Sequence, residues 1–309
     1  MEKLIVSTSP HVHRRTTTAS VMRDLLIALT PATVAAIVFF GWKAALIIAL
    51  CVGTSVVSEL LFCILSKRPS TISDLSAAVT GLLLALNLST RVTAWQCIVG
   101  SVFAIIVVKC AFGGLGRNFA NPAITARVML LIAFTDVAGG AMTSFNTLSS
   151  GATPLAVMKD GVGTLPSMLD MLIGNRGGAI GETCAVALLL GGLYLLVRRV
   201  ITWHVPVVYV SGVFLLSLLL KQDLNLALYQ VLGGGLLIGS IFMATDYVTT
   251  PKRKLGKVVF AAGCAILTVL IRFYGSYPEG VSFAILIMNI LTPYIDMLVS
   301  PKNKGGAQS

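Results

Sequence analysis

The sequence predicts an all-α polytopic membrane protein, and three observations carry that reading. Of the 309 residues, 56% are apolar and only 11% are charged, with a mean hydropathy of +0.90. The apolar residues gather into stretches near the length of roughly 20 that a helix needs to cross a bilayer, where backbone amides must be satisfied within the segment. Lys and Arg are spread unevenly between the two sets of connections.

About ten such stretches follow one another, at approximately 24–41, 44–65, 74–90, 93–112, 121–138, 179–197, 203–220, 225–245, 257–274 and 280–299. An even number puts both termini on one face. If that face is cytoplasmic, it receives Lys3, Arg14, Arg15, Arg23, Lys67, Arg68, Arg117, Arg127, Arg198, Arg199, Lys252, Arg253, Lys254, Lys257, Lys302 and Lys304. The other face receives only Lys43, Arg91, Lys159, Arg176, Lys221 and Arg272. Positive residues accumulate on the cytoplasmic side, so both termini are expected there, in a bacterial inner membrane. The net charge of +11 is then a topology signal and no nucleic-acid footprint; the same residues offer contacts for anionic lipid. No short apolar core with a small-residue cleavage site follows the basic arm, so no cleavable signal is expected.

The stretches fall into two groups of five. Five is odd, so the second group runs inverted in the membrane. The expected division is an arm at 1–23, a first five-helix repeat at 24–138, a loop at 139–178, a second five-helix repeat at 179–299 and a tail at 300–309. The third member of each group is the guide: Thr80–Asn87 and Gly239–Asp246 each hold a glycine and end in Ala-x-Asn/Asp. Short, glycine-interrupted segments at matching places in inverted halves point to a binding site within the membrane. Gly191-Gly192 and Gly233-Gly234-Gly235 read as close helix packing.

The loop between the halves is long enough to carry function and is expected outside the cytoplasm. Its apolar run, Leu165–Ile173, is too short to span and reads as a surface or re-entrant helix. Its Ser150-Gly151-Ala152-Thr153-Pro154-Leu155 stretch leaves a threonine among small neighbours. Pro154 biases Thr153 toward extended backbone, with its hydroxyl presented outward. The six cysteines match no metal-ligand spacing and read as small buried hydrophobes. No Walker, Rossmann or zinc motif is present.

The hexapeptide resembles the site at which a flavin transferase esterifies FMN to a threonine in one protein family. That family holds the D subunits of Rnf-type electron transport complexes and the B subunits of the sodium-translocating NADH:quinone oxidoreductases. The resemblance covers essentially the whole chain. It is carried by Ser9-Pro10-His11, Val21–Ala32, Gly113-Gly114-Leu115-Gly116-Arg117-Asn118-Phe119-Ala120-Asn121-Pro122-Ala123, Phe242–Asp246 and Glu279–Asn289. One departure is that Thr147 stands where the flavinylation pattern usually has Asp.

The resemblance implies ten helices in two inverted halves and a covalent FMN on Thr153, within Ser150–Pro154. It also implies a second, non-covalent flavin (riboflavin or FMN) and partner subunits holding iron–sulfur clusters and flavin. Their joint activity would relay electrons between ferredoxin and NAD, coupled to export of Na⁺ or H⁺. Arg117, Asn118, Asn121 and Asp246 are the expected lining of that second flavin site, or of an ion site, between the halves on the cytoplasmic face. Electrons would then cross most of the membrane between the two flavins. Glu59 is a candidate for ion handling or a paired structural carboxylate. Glu182 reads as a solvated residue near a span edge, and His204 as an interface histidine. His11 and His13 read as docking residues. The rival reading is a solute transporter or channel of inverted-repeat fold, with no redox role.

Overall fold

The computed structural model describes residues 17–69, 71–134, 153–161 and 163–300, which are helical or irregular with no strand among them. Each of the ten apolar stretches coincides with a helix or a pair of helices. They are α1 (Thr18–Phe40), α2 (Trp42–Leu65), α3 (Ser76–Leu86), α4 (Ala94–Cys110) and α5 (Pro122–Ala133). Two short helices follow, α6 (Pro154–Asp160) and α7 (Met168–Ile173). Then come α8 (Ala185–Val197), α9 (His204–Lys221), α10 (Leu224–Leu232), α11 (Leu236–Met243), α12 (Lys254–Tyr274) and α13 (Val281–Val299). Five of these, α1, α2, α9, α12 and α13, are long and apolar enough to cross a membrane, and the bent pair α10–α11 makes six. The remaining four stretches form shorter apolar helices.

Local chemistry sets the ends. The Thr17 side chain accepts the Ser20 N–H to start α1. Gly41, at φ 67°, is the single-residue joint between α1 and α2. Thr93 and Gln96 form a reciprocal capping box on α4. Asn121 caps α5, accepting the Ala123 and Ile124 N–H groups, with Pro122 at the first helical position where its missing donor costs nothing.

The packing inverts the pattern of a water-soluble protein. Large apolar side chains such as Val38, Leu61, Ile64, Leu65, Val197 and Leu219 face outward, while Glu59, Lys109, Arg127, Arg176, Glu182 and Arg272 are buried. An apolar shell of this kind around charged residues suits a hydrocarbon surround. α1 packs on α8, α2 on α3 and α4, α9 on α12, and α12 on α13.

Two glycine readings change with the coordinates. Gly81 does not interrupt α3; a Cβ there would lie 2.6 Å from the Cys51 carbonyl oxygen, so the glycine lets α2 lie against α3. The break falls instead at Gly233–Gly235, where Gly234 has φ 63° and α10 meets α11 at 61°. Gly191 does serve close packing: any side chain there would overlap the Ala28 carbonyl oxygen on α1.

Two segments have π-helical geometry, Phe103–Cys110 within α4 and Gly239–Met243 within α11. The wider turn shifts the angular position of following side chains, and such stretches recur at functional sites.

Candidate functional site

Two polar cavities lie at opposite ends of α3 and α5. The first is lined by Ser76, Lys109, Asn118, Asn121, Asp246 and Tyr247, with apolar walls that include Leu83 and Phe242. Three of the four residues expected at a cytoplasmic flavin site, Asn118, Asn121 and Asp246, therefore meet in one place. Arg117 does not join them: it is exposed on the turn made by Gly113, Gly114 and Gly116, its alkyl chain beside Gly113. Asn121 is held by its cap and by a 3.5 Å contact from its Nδ2 to the Met243 carbonyl oxygen. Asp246 accepts the Val248 N–H at 3.2 Å. The Asn118 side-chain oxygen is buried with no hydrogen-bond partner. A buried acceptor of this kind is costly unless a donor meets it.

Lys109 was absent from the sequence expectations, and the π turn of α4 brings it to this cavity. Its ammonium donates to Glu59 Oε1 at 2.8 Å and to Ser76 Oγ at 2.5 Å. Thr71 donates to the same Glu59 oxygen at 2.6 Å. Glu59 is thus a paired carboxylate, its other oxygen buried and without a partner.

The second cavity holds Thr153, Asn87, Arg127, Glu182, Gly234 and Glu279. Thr153 is half-buried and stands at φ −64°, ψ 151°, the extended backbone expected before proline. Its setting is not an open loop. Its Oγ1 accepts the Ala156 N–H at 3.2 Å and caps α6, with Pro154 at the first helical position. Ser150, Gly151 and Ala152 lie outside the described residues, as do His11 and His13.

Behind Thr153 the Arg127 guanidinium donates to Asn87 Oδ1 at 2.6 Å, to Glu182 at 3.4 Å and to Glu279. Two sequence readings are corrected here. Glu182 is not solvated; it is 4% exposed and ion-paired. Arg127 is not a marker of the cytoplasmic face but an internal partner, 5% exposed and lining the same cavity as the threonine. Burial alone would raise the Glu279 carboxyl; the Arg127 guanidinium and the Gly235 N–H outweigh it and hold Glu279 below the ordinary carboxylate range. The segment before α8 docks on the end of α3 through Ile180 N–H to Leu88 O (2.9 Å) and Gly181 N–H to Leu86 O (2.7 Å). His204 stacks on Trp203.

The cavities are close. On α3 the lining passes from Leu83 in the first to Asn87 in the second, one helical turn or about 6 Å of rise. On α5 it passes from Pro122 to Arg127.

Comparison with known proteins accords with this picture. The chain matches the NQR2, RnfD, RnfE family over residues 5–305. It is 44% identical over 310 residues to the D subunit of the Na(+)-translocating ferredoxin:NAD(+) oxidoreductase complex of Acetobacterium woodii, covering 98% of this chain and 95% of the relative. It is 37% identical over 322 residues to the D subunit of the proton-translocating ferredoxin:NAD(+) oxidoreductase complex of Clostridium ljungdahlii, covering 97% and 96%. The D subunit of an ion-translocating oxidoreductase complex of Halorhodospira halophila is 33% identical over 336 residues, covering 96% and 94%. By matches that run almost from end to end, the chain belongs to the NQR2, RnfD, RnfE family.

Proposed function

We propose that this chain is the flavin-carrying membrane subunit of an ion-translocating electron transport complex. It relays electrons between ferredoxin and NAD, coupled to Na⁺ or H⁺ export, and works only with its partner subunits and after maturation by a flavin transferase. FMN is joined by a phosphoester to Thr153, and a second flavin, held without a covalent bond, sits at Asn118, Asn121 and Asp246. The observation that carries the reading is Thr153 itself: a helix-capping threonine at the mouth of a cavity with a buried arginine, in a chain of this family. Family membership favours the redox role over a solute transporter of similar architecture.

The residues fit such groups. Esterified, the Thr153 oxygen can still accept the Ala156 N–H, so modification does not cost α6 its cap. Arg127 supplies positive charge in the same cavity. In the other, the unpartnered Asn118 oxygen can take a ring N–H, and Asn121 offers a donor. That cavity is about 60 Å³ as it stands, room for a few waters and not for three fused rings. The exposed Tyr247 at its edge is the wall with freedom to move. A bound flavin supplies the one- and two-electron transfer that side chains cannot. Lys109 presents a cation to the same space, and Glu59 keeps that cation in place.

The topology that accompanies this reading has ten spans in two inverted halves, both termini in the cytoplasm and Thr153 on the other face of a bacterial cell membrane. Membranes carrying the whole complex test the function. Thr153→Ala should abolish ferredoxin-dependent NAD⁺ reduction and the linked ion uptake into inverted vesicles, with the complex still assembled. Undiminished activity would overturn the role assigned to Thr153.

A further inference from the structure

A third cavity serves neither site. It is an apolar groove of about 570 Å³ between α8, α9 and α11, open at the side and lined by Leu193, Leu196, Val207, Ser211, Phe214 and Ile241 among others. At Ile201 it meets a separate cavity of about 230 Å³ with different chemistry, whose walls include Thr202, Thr250, Lys252 and Lys257. One hollow is hydrocarbon-like; the adjoining one is polar and cationic.

The cationic end is open to an anion. Lys257 Nζ donates to Thr202 Oγ1 at 3.0 Å and bridges α12 to the turn before α9. Lys252 is exposed, and its backbone N–H, not its ammonium, meets Asp296 at 3.3 Å. Neither lysine takes part in an ion pair among the described residues. The first turn of α12 has no side-chain cap, which leaves amide donors at this end.

Charge decides what the apolar groove takes. The hollow that it meets is lined by two lysines and by no carboxylate. An apolar chain joined to an anionic head matches both.

We propose that these two cavities together form a site for one anionic phospholipid, with its phosphate at Lys252 and Lys257 and an acyl chain in the groove. The assignment stands on charge and shape and does not rest on the flavin reading. Its position gives it a consequence for that reading. The headgroup cavity shares Val200, Thr245 and Tyr247 with the cavity of Asn118 and Asp246, so a lipid there lies against the wall that moves to admit a flavin.

The full chain, purified in detergent, can be titrated with phosphatidylglycerol and separately with phosphatidylcholine, and bound lipid read by native mass spectrometry. One phosphatidylglycerol should be retained at concentrations where phosphatidylcholine is not. Lys252→Gln with Lys257→Gln should weaken it roughly 25-fold, a factor of five for each lysine. Ser211→Trp, which fills the groove, should abolish retention; Val207→Trp, at another outward-facing position, is the second such variant should the first fail to fold. Both lysines lie at least partly exposed, so an unchanged unfolding temperature for their double variant certifies its fold. Equal retention of phosphatidylcholine, or unaltered phosphatidylglycerol binding in the lysine and groove variants, would overturn the proposal. So would a photo-crosslinker at position 211 that captures another subunit's helix in the assembled complex.

Discussion

Replacing Lys109 by Met leaves Glu59 as a buried carboxylate without a counter-charge. In the native chain the pair is 2.8 Å apart, with side chains 2% and 1% exposed, and Ser76 and Thr71 complete the set. After the change, Thr71 alone faces Glu59 Oε1, and Oε2 already has no partner. Breaking a buried pair by removing one member costs about 3–5 kcal/mol, whereas replacing both members by apolar residues of similar size is often neutral. Scaled to 309 residues, each kcal/mol lowers the unfolding temperature by about 1.5 °C. Lys109→Met should therefore lose roughly 5–8 °C, and Lys109→Met with Glu59→Leu should recover most of it. The assay is tryptophan-fluorescence melting in detergent at a fixed scan rate, since unfolding of such a chain is expected to be irreversible. A double variant as unstable as the single one would refute the argument, because the damage would then come from lost packing or from Ser76 and not from an uncompensated charge.

Other consequences follow from the same coordinates. Gly191→Ala pushes a methyl group into the Ala28 carbonyl and should cost about 1–3 kcal/mol; a melting curve identical to the parent would show that α1 and α8 can part freely. Asn118→Leu removes a buried unpaired acceptor, so the apo chain should melt no lower than the parent while the non-covalent flavin recovered per chain falls; retention of that flavin would place its site elsewhere. Glu279 has a depressed folded pKa, so its stabilising contribution is complete above about pH 4.3, the ordinary value, and fades as pH falls through the folded pKa. Glu279→Gln should accordingly flatten the acid limb of a stability–pH profile, and an unchanged limb would show that Arg127 does not act on it. A cysteine at the exposed Asp160 should react with an impermeant thiol reagent from outside the inner membrane, and labelling only after lysis would reverse the topology.

Much of the architecture was legible because hydrocarbon imposes its own grammar. Apolar runs marked every principal helix, and Asn121-Pro122 marked where α5 begins. What the sequence hid was mostly long-range. Asn87, Arg127, Glu182 and Glu279 come from four separate segments, and only packing brings them to Thr153. Arg127 was counted among topology markers because a lone arginine in an apolar stretch looks the same whether it snorkels to water or pairs inside. Lys109 carries a signal of its own, since a lysine in an apolar run calls for a buried partner. The π turn that aims it has no residue signature. A helix at Thr153-Pro154 could have been read, since threonine followed by proline is a helix-start pattern; the glycine- and serine-rich context before it suggested a loop. Gly81 shows the opposite error, a glycine read as an interruption where close approach of α2 explains it.

The central claim is the covalent flavin, and one measurement meets it directly. The full chain, produced with a flavin transferase and run on a denaturing gel, should fluoresce under ultraviolet light. Tandem mass spectrometry should then find a single FMN phosphoester on the peptide containing Thr153, absent from Thr153→Ala. A chain that carries no flavin through denaturation, or one whose adduct survives the alanine substitution, would contradict the account.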